Sequence, residues 1–306
     1  MIRVSAPAKI HLLGEHSVSY GRPALLTAID LRLTLSLDKA KTQSYPIKQI
    51  AKAQKATEKS IKMAFKIKKI PPYKIEIDSQ IPIGSGLGSS SAISACLTKA
   101  LLTFLKISSD NEKVYKLAMD PENIFHGKSS GGDLAAVTYG GLIWFRNELD
   151  NLKIIKPLDF LVGSKIGYFF LVDSGKPKET TRQMVEKVGI LNQNNPFFAQ
   201  KIFSSQESLT KQMAVALQIG DTKKISAAIK LGQRNLEKLG VVGKKSLDII
   251  RKIEKSGGYA KILGGGGIKG GSGMILVYHK DPKKLKSLDL NPIPIKLAQE
   301  GLRVEK

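Results

Sequence analysis

Pro82-Ile83-Gly84-Ser85-Gly86-Leu87-Gly88-Ser89-Ser90-Ser91 sets three glycines and four serines between an alternating run, Tyr73–Ile77, and an apolar small-residue run, Ser91–Leu105. The period of two before the loop predicts a strand and the run after it a helix, so the order is strand, glycine loop, helix. Such a loop can aim several backbone N–H groups at one anion, and the helix start adds partial positive charge. No Lys follows the last glycine and the spacing is Gly-x-Gly-x-Gly, so this is neither a Walker A loop nor a Rossmann fingerprint. The glycines alone suit a tight turn as well as a phosphate cradle. The serines favour the cradle, since a hydroxyl at a helix start caps the helix or ligates Mg²⁺ beside a phosphate.

Upstream, Ile2–Ala6 reads as a strand, followed by a loop containing Gly14 and a second strand in which Leu31, Leu33, Leu35 and Leu37 alternate with polar residues. From Pro46 to Phe65, Lys48, Lys52, Lys55, Lys59, Lys62 and Lys66 recur at helical spacing, opposite Ile47, Ile50, Ile61 and Phe65. Downstream come a short helix near Val114–Met119, a polar segment Ser129–Asp133, a helical turn and a strand around Leu142–Phe145. The stretch Asp150–Lys165 reads as a boundary, dividing the chain into residues 1–160, with the glycine loop, and 161–306. The second part opens with a strand, Ile166–Asp173. Helices follow over Thr181–Val188, Phe197–Gln218, Thr222–Leu239 and Lys244–Ser256, and then strands Tyr259–Leu263, Gly273–His279 and Ile293–Ala298 around the glycine cluster Gly264–Gly273.

The 306 residues carry 49 Lys and Arg against 26 Asp and Glu, a net charge of +23, and only eight of the basic residues are Arg. That imbalance invites a nucleic-acid reading, with the Lys48–Lys66 stripe as its footprint. Against it stand the scarcity of Arg and an aromatic content of 6%, which leaves Phe65 alone on that helix for base stacking. No specific nucleic-acid partner is expected. Cys96 is the only cysteine, so an internal disulfide and a multi-cysteine metal site are excluded. No apolar run approaches the roughly 20 residues of a membrane span, and Met1-Ile2-Arg3 opens into patterned sequence with no signal-peptide core. The expectation is a cytoplasmic protein without a membrane partner.

Two further segments hold chemistry-bearing side chains. Ser5-Ala6-Pro7-Ala8-Lys9-Ile10-His11-Leu12-Leu13-Gly14-Glu15-His16 places Lys9, Glu15 and His16 around a strand end and a turn, where lone charges are ordinarily solvated. Glu122 to Asp133 is polar. Within it Gly131-Gly132 lets backbone approach a ligand, and Asp133 falls near a helix N-terminus that keeps its carboxylate ionised.

Together with the serine loop and the C-terminal glycine cluster, these segments resemble the superfamily of galactokinases, homoserine kinases, mevalonate kinases and phosphomevalonate kinases, from Ser5 to Gly273. Ala8–Gly21, Ile81–Ser90 and His126-Gly127-Lys128-Ser129-Ser130-Gly131-Gly132-Asp133 are most similar to mevalonate kinases; Ser17-Val18 stands where a galactokinase would show Thr-Asp. The resemblance implies an α+β, two-domain GHMP kinase fold: an N-terminal ribosomal protein S5 domain 2-like domain, a C-terminal ferredoxin-like domain, and an active site in the cleft between them. It implies phosphorylation of the mevalonate 5-hydroxyl with ATP and Mg²⁺ as cofactors. Phosphomevalonate kinase, homoserine kinase and sugar kinase are the alternatives within the superfamily. The oligomeric state is left open, a homodimer included.

By the same resemblance Pro82, Ile83, Gly84, Ser85, Gly86, Leu87, Gly88, Ser89 and Ser90 wrap the nucleotide phosphates. Ser90 with Glu122 ligates Mg²⁺, Ser89 being the near-equal candidate. Asp133 is the catalytic aspartate, as base or as positioning charge, and Lys9 stabilises charge on the acceptor oxygen and the transferring phosphoryl. Glu15 and His16 contact the acceptor. Thr181 approaches the γ-phosphate, unless it and Thr180 cap the next helix. The cluster Leu263-Gly264-Gly265-Gly266-Gly267-Ile268-Lys269-Gly270-Gly271-Ser272-Gly273 departs from the family in carrying Lys269, which either reaches an anionic group or is solvated.

Overall fold

The computed structural model describes residues 1–45, 48–82, 84–127, 129–149, 152–159 and 166–305. Its first half runs β1 (Ile2–Leu13), β2 (Ala24–Lys39), α1 (Lys48–Phe65), β3 (Tyr73–Ser79), α2 (Ser89–Phe104), α3 (Asn111–His126), α4 (Gly132–Tyr139), β4 (Leu142–Leu149) and β5 (Leu152–Pro157). The second half runs β6 (Tyr168–Asp173), α5 (Thr181–Asn194), α6 (Pro196–Ile219), α7 (Thr222–Lys238), α8 (Lys244–Lys255), β7 (Tyr259–Ile262), β8 (Met274–His279), α9 (Pro282–Lys286), β9 (Ile293–Ile295) and β10 (Arg303–Val304).

The first sheet has the order β10-β1-β2-β4-β5, with β3 also paired to β2, and all its pairings are antiparallel. In β2 the alternation seen in the sequence is the burial pattern: Leu33, Leu35 and Leu37 are buried while Thr34 and Ser36 are partly exposed. The expected strand Ile2–Ala6 continues to Leu13, because Ala8, Ile10 and Leu12 are fully buried and pairing with β2 reaches Leu13. Pro7, which has no N–H to give a ladder, sits at a register shift between Pro7 and Ala8. This extension matters, since it puts Lys9 and His11 on a rigid strand rather than in a loop.

The second sheet, β7-β8-β6-β9, is also antiparallel, and its chain order of strand, helices, two strands, short helix, strand is the ferredoxin-like arrangement. Its two faces serve two cores. Phe170, Val172, Ile275 and Val277 pack with Val188, Phe203, Leu236 and Ile250 from its helices. Phe169, Leu171, Leu276 and Tyr278 join the cluster that also holds β1, β2, α2 and α4 residues, so one apolar core runs from sheet to sheet.

Several boundaries differ from those expected. The helix near Val114–Met119 extends over 16 residues through Pro121, capped at its start by the Asp110 side chain. Within the stretch read as a boundary, β5 pairs with β4 as a partly exposed edge strand whose lysines resemble a linker. Residues 150–151 and 160–165, with the division at 160/161, lie outside the described residues. The last strand of the second sheet is three residues long, and the chain then returns to the first sheet, where β10 pairs with β1. Helix α1 buries Ala53, Thr57 and Ile61 and turns Lys48, Lys52, Lys55 and Lys59 to solvent; Ile47, expected on its apolar side, lies outside the described residues. Among the described residues no helix is long and apolar enough to cross a membrane.

The returning chain crosses the end of α4 at close range. Gly140 has a φ of 72°, and a Cβ there would stand 2.1 Å from the Gly301 nitrogen. Gly140→Ala should therefore cost about 2–4 kcal/mol, combining a left-handed backbone with a backbone clash. The check is a fall in the denaturant midpoint at unchanged slope.

Candidate active site

Residues two apart on a strand share a face, and Lys9 and His11 of β1 use that face to hold one carboxylate. The Lys9 ammonium lies 2.9 Å from Asp133 Oδ2, and His11 Nε2 lies 2.9 Å from Asp133 Oδ1. Lys9 is 2% exposed, whereas Asp133, in the first turn of α4, is 33% exposed and so open to a ligand. Burial works against ionising Asp133. The Lys9 charge and the His11 hydrogen bond outweigh it and hold the carboxyl well below the usual carboxylate range. An ionised carboxylate can only accept, so His11 donates through Nε2–H.

Above this cluster lies the glycine-serine loop. The backbone N–H of Lys9 donates to Leu87 O at 3.0 Å, fastening the loop to β1. Gly88 begins α2 with a φ of 79°, and a Cβ there would come within 2.7 Å of Lys9 Cγ, so only glycine lets the lysine stem run under the loop. The N-cap residue of α2, Gly88, has no side chain to cap the helix, and Ser89 and Ser90 are its first two residues, so first-turn N–H groups point toward the loop. Ser85 Oγ donates to Pro82 O at 2.7 Å and tightens the turn. Ile83 lies outside the described residues.

Glu122 of α3 is fully buried, and its carboxylate accepts from Ser91 Oγ at 2.7 Å and from Ser94 Oγ at 3.2 Å. A carboxylate, a serine hydroxyl and phosphate oxygens form the hard donor set that Mg²⁺ takes in nucleotide sites. Ser90 and Glu122 thus fit such an ion by chemistry, with Ser91 and Ser94 orienting the carboxylate. Among the described residues there is no group of three His, Cys, Asp or Glu side chains that could hold a metal without such help.

The C-terminal glycine cluster abuts the loop. Met274 N–H donates to Ser85 O at 3.4 Å, and a Cβ on Gly264 would lie 3.6 Å from Gly86 Cα. The cluster is pinned from below by the buried hydroxyls of Ser174, Ser246 and Ser272, and from outside by the Glu179 carboxylate, which accepts from the N–H groups of Ile268 and Lys269. The Lys269 side chain is exposed. His16 donates Nε2–H to Gly265 O, 3.1 Å away, and it is buried; burial lowers its pKa despite that contact and the nearby Glu15 charge. Glu15 is buried in an ion pair with Lys261 of β7, whose ammonium also donates to His11 O at 3.1 Å and Ile262 O at 3.0 Å. Thr180 caps α5 in a capping box with Gln183, which leaves Thr181 exposed at the first helical position, beside Gly265.

The structure thus brings Lys9, Asp133, the loop 84–90, Glu122, Glu15, His16 and Thr181 around one face of the junction between the sheets. Four residues in it were not singled out from the sequence. His11 carries a readable signal, two positions from Lys9 on a strand. Lys261 is a charge inside an apolar strand, another signal. Ser91 and Ser94 face a carboxylate roughly 30 positions away, for which local sequence has no sign.

Residues 48–141 match the GHMP kinases N terminal domain family. The mevalonate kinase of Archaeoglobus fulgidus is 30% identical over 309 residues, covering 99% of each chain. Among solved structures, L. major mevalonate kinase in complex with R-mevalonate superposes with a TM-score of 0.78 at 20% identity, over 97% of this chain and 95% of that one. Streptococcus pneumoniae phosphomevalonate kinase in complex with phosphomevalonate and AMPPNP gives 0.77 at 20% identity over 100% of both.

Two predictions follow from the buried charges. Lys261→Met strands the Glu15 carboxylate and should cost about 3–5 kcal/mol in chemical denaturation, while the double variant with Glu15→Gln recovers much of it. For His16, the folded pKa lies below the unfolded value of about 6.5, so the unfolded chain binds the proton first as pH falls. The stability it contributes is complete above about pH 6.5 and is lost on acidification. Denaturation series should show the wild type losing more stability between pH 7 and 5 than His16→Asn.

Proposed function

Because the chain belongs to the mevalonate kinase family of the GHMP kinases, we propose that it transfers the γ-phosphoryl group of ATP to the 5-hydroxyl of (R)-mevalonate, yielding 5-phosphomevalonate. It is an ATP-dependent phosphotransferase acting on an alcohol. The fold alone accommodates kinases of several acceptors, so the choice of mevalonate rests on the 30% identity along 99% of both chains. The geometry that carries the chemistry is the Asp133 carboxylate held by Lys9 beside the uncapped start of α2.

The placement of each residue supports its role in this reading. First-turn N–H groups of α2 and the loop from Gly84 to Ser90 bind the nucleotide phosphates, with the helix start adding favourable charge. Ser90 and Glu122 would hold Mg²⁺, which would supply neutralisation of phosphate charge. Asp133 accepts a hydrogen bond from the acceptor hydroxyl and fixes its oxygen for attack. With Lys9 and His11 holding its carboxyl below the usual carboxylate range, Asp133 acts in this reading as a positioning charge, which suits a loose transition state in which the hydroxyl proton leaves late. Lys9 stabilises negative charge on the attacking oxygen and the phosphoryl group. His16 and Glu15 line the acceptor side, and Thr181 stands where the glycine cluster meets the phosphates.

The test is ADP release with Mg·ATP and a panel of mevalonate, phosphomevalonate, homoserine and galactose, beside a no-acceptor control. Mevalonate alone should drive turnover, and Asp133→Ala should lose at least roughly 100-fold in kcat, about 2.7 kcal/mol of transition-state stabilisation. Turnover with another acceptor in place of mevalonate would reassign the pocket.

A further inference from the structure

We infer that His11 is a positioning residue for the transfer reaction: by donating Nε2–H to Asp133 Oδ1 while Lys9 holds Oδ2, it fixes the plane of the carboxylate that orients the acceptor hydroxyl. The inference rests on the reading of Asp133 given above.

The two contacts are of equal length, 2.9 Å, and go to different oxygens. A carboxylate held at one oxygen still turns about its Cβ–Cγ bond; held at both, it does not. One lone pair on each oxygen then remains in a fixed direction, and the exposed side of Asp133 is the side from which an alcohol can reach it. Preorganisation of this kind is what phosphoryl transfer draws on, since positioning and charge carry most of that reaction.

His11 is itself immobilised from three sides. Its backbone lies in β1, paired to Leu26 of β2. Its carbonyl accepts from the Lys261 ammonium at 3.1 Å, which reaches across from the second sheet and is in turn paired with Glu15. Its side chain is 13% exposed, and Nδ1 is buried without a hydrogen-bond partner. A buried polar atom left unpaired is a cost that an apolar residue in this strand would avoid. Among the described residues the contact at the other nitrogen is what offsets it, and that contact goes to Asp133. The charged and titratable groups around the ring are Lys9, Asp133, His16, Glu15 and Lys261.

The experiment compares full-length wild type, His11→Leu and His11→Gln in steady-state turnover of mevalonate with Mg·ATP, together with ¹⁵N spectra of histidine-labelled protein. His11→Leu fills the site with an apolar side chain and should lower kcat by about 10- to 100-fold with KM for ATP changed less than about twofold. His11→Gln keeps an N–H donor and should recover most of the loss. The spectra should show His11 protonated at Nε2, with that resonance shifted in Asp133→Asn. An active wild type matched within about twofold by His11→Leu, or a His11 resonance unmoved by Asp133→Asn, overturns the role of His11. A wild type inactive on mevalonate instead overturns the acceptor assignment beneath it, and the two failures are read from different samples.

Discussion

The ammonium of Lys261 is the point at which the two sheets agree on their positions. It leaves β7 and spends its protons on the Glu15 carboxylate, the His11 carbonyl and the Ile262 carbonyl, so one buried cation ties the second sheet to both the strand and the turn that carry the reacting groups. Desolvating an ammonium and a carboxylate is expensive; every ammonium proton is used, whereas Glu15 Oε2 is buried without a hydrogen-bond partner among the described residues. An apolar pair of equal volume would pack the same space. It would fix neither the direction of the strand end nor the turn at Glu15 and His16, because dispersion contacts have little directional preference. The short approach of His16 to Gly265 O then sets the glycine cluster against the same turn.

Glycine against glycine is the second constraint. The phosphate loop and the C-terminal cluster meet where Gly86 and Gly264 leave no side chain between two backbones. The contact brings peptide groups from both halves of the chain together near the start of α2. Lys9 runs under that loop because Gly88 has no Cβ, which lets a strand residue reach the carboxylate of α4 from beneath the loop. In the proposed reaction, phosphate binding and acceptor orientation would thereby rest on the same backbone segments.

Much of this was legible locally. The strand, loop and helix around Gly84–Ser90, the alternation in β2, the helices of the second half and the placement of Asp133 at a helix start all come from period, glycine content and capping logic. What escaped is what depends on distant partners. Residues 152–157 look like a linker because an edge strand carries lysines on purpose, and only β4 reveals its pairing. Pro121 looks like a helix end, yet tertiary packing carries α3 through it. Glu122 was visible as a carboxylate in a polar segment, whereas the two α2 hydroxyls that orient it lie about 30 residues earlier. The length of β1 was underestimated because a buried strand with Lys9 and His11 in it breaks the apolar pattern just where the chemistry sits.

The return of the chain to pair β10 with β1, with Glu305 N–H donating to Arg3 O at 2.8 Å, gives the outer edge of β1 a partner about 300 residues away in sequence. That edge stays open until residues 303–305 fold back onto it, so its closure depends on the most distant of contacts rather than on a neighbouring hairpin. Until then the first sheet presents an unpaired row of backbone groups, a template on which another chain can pair.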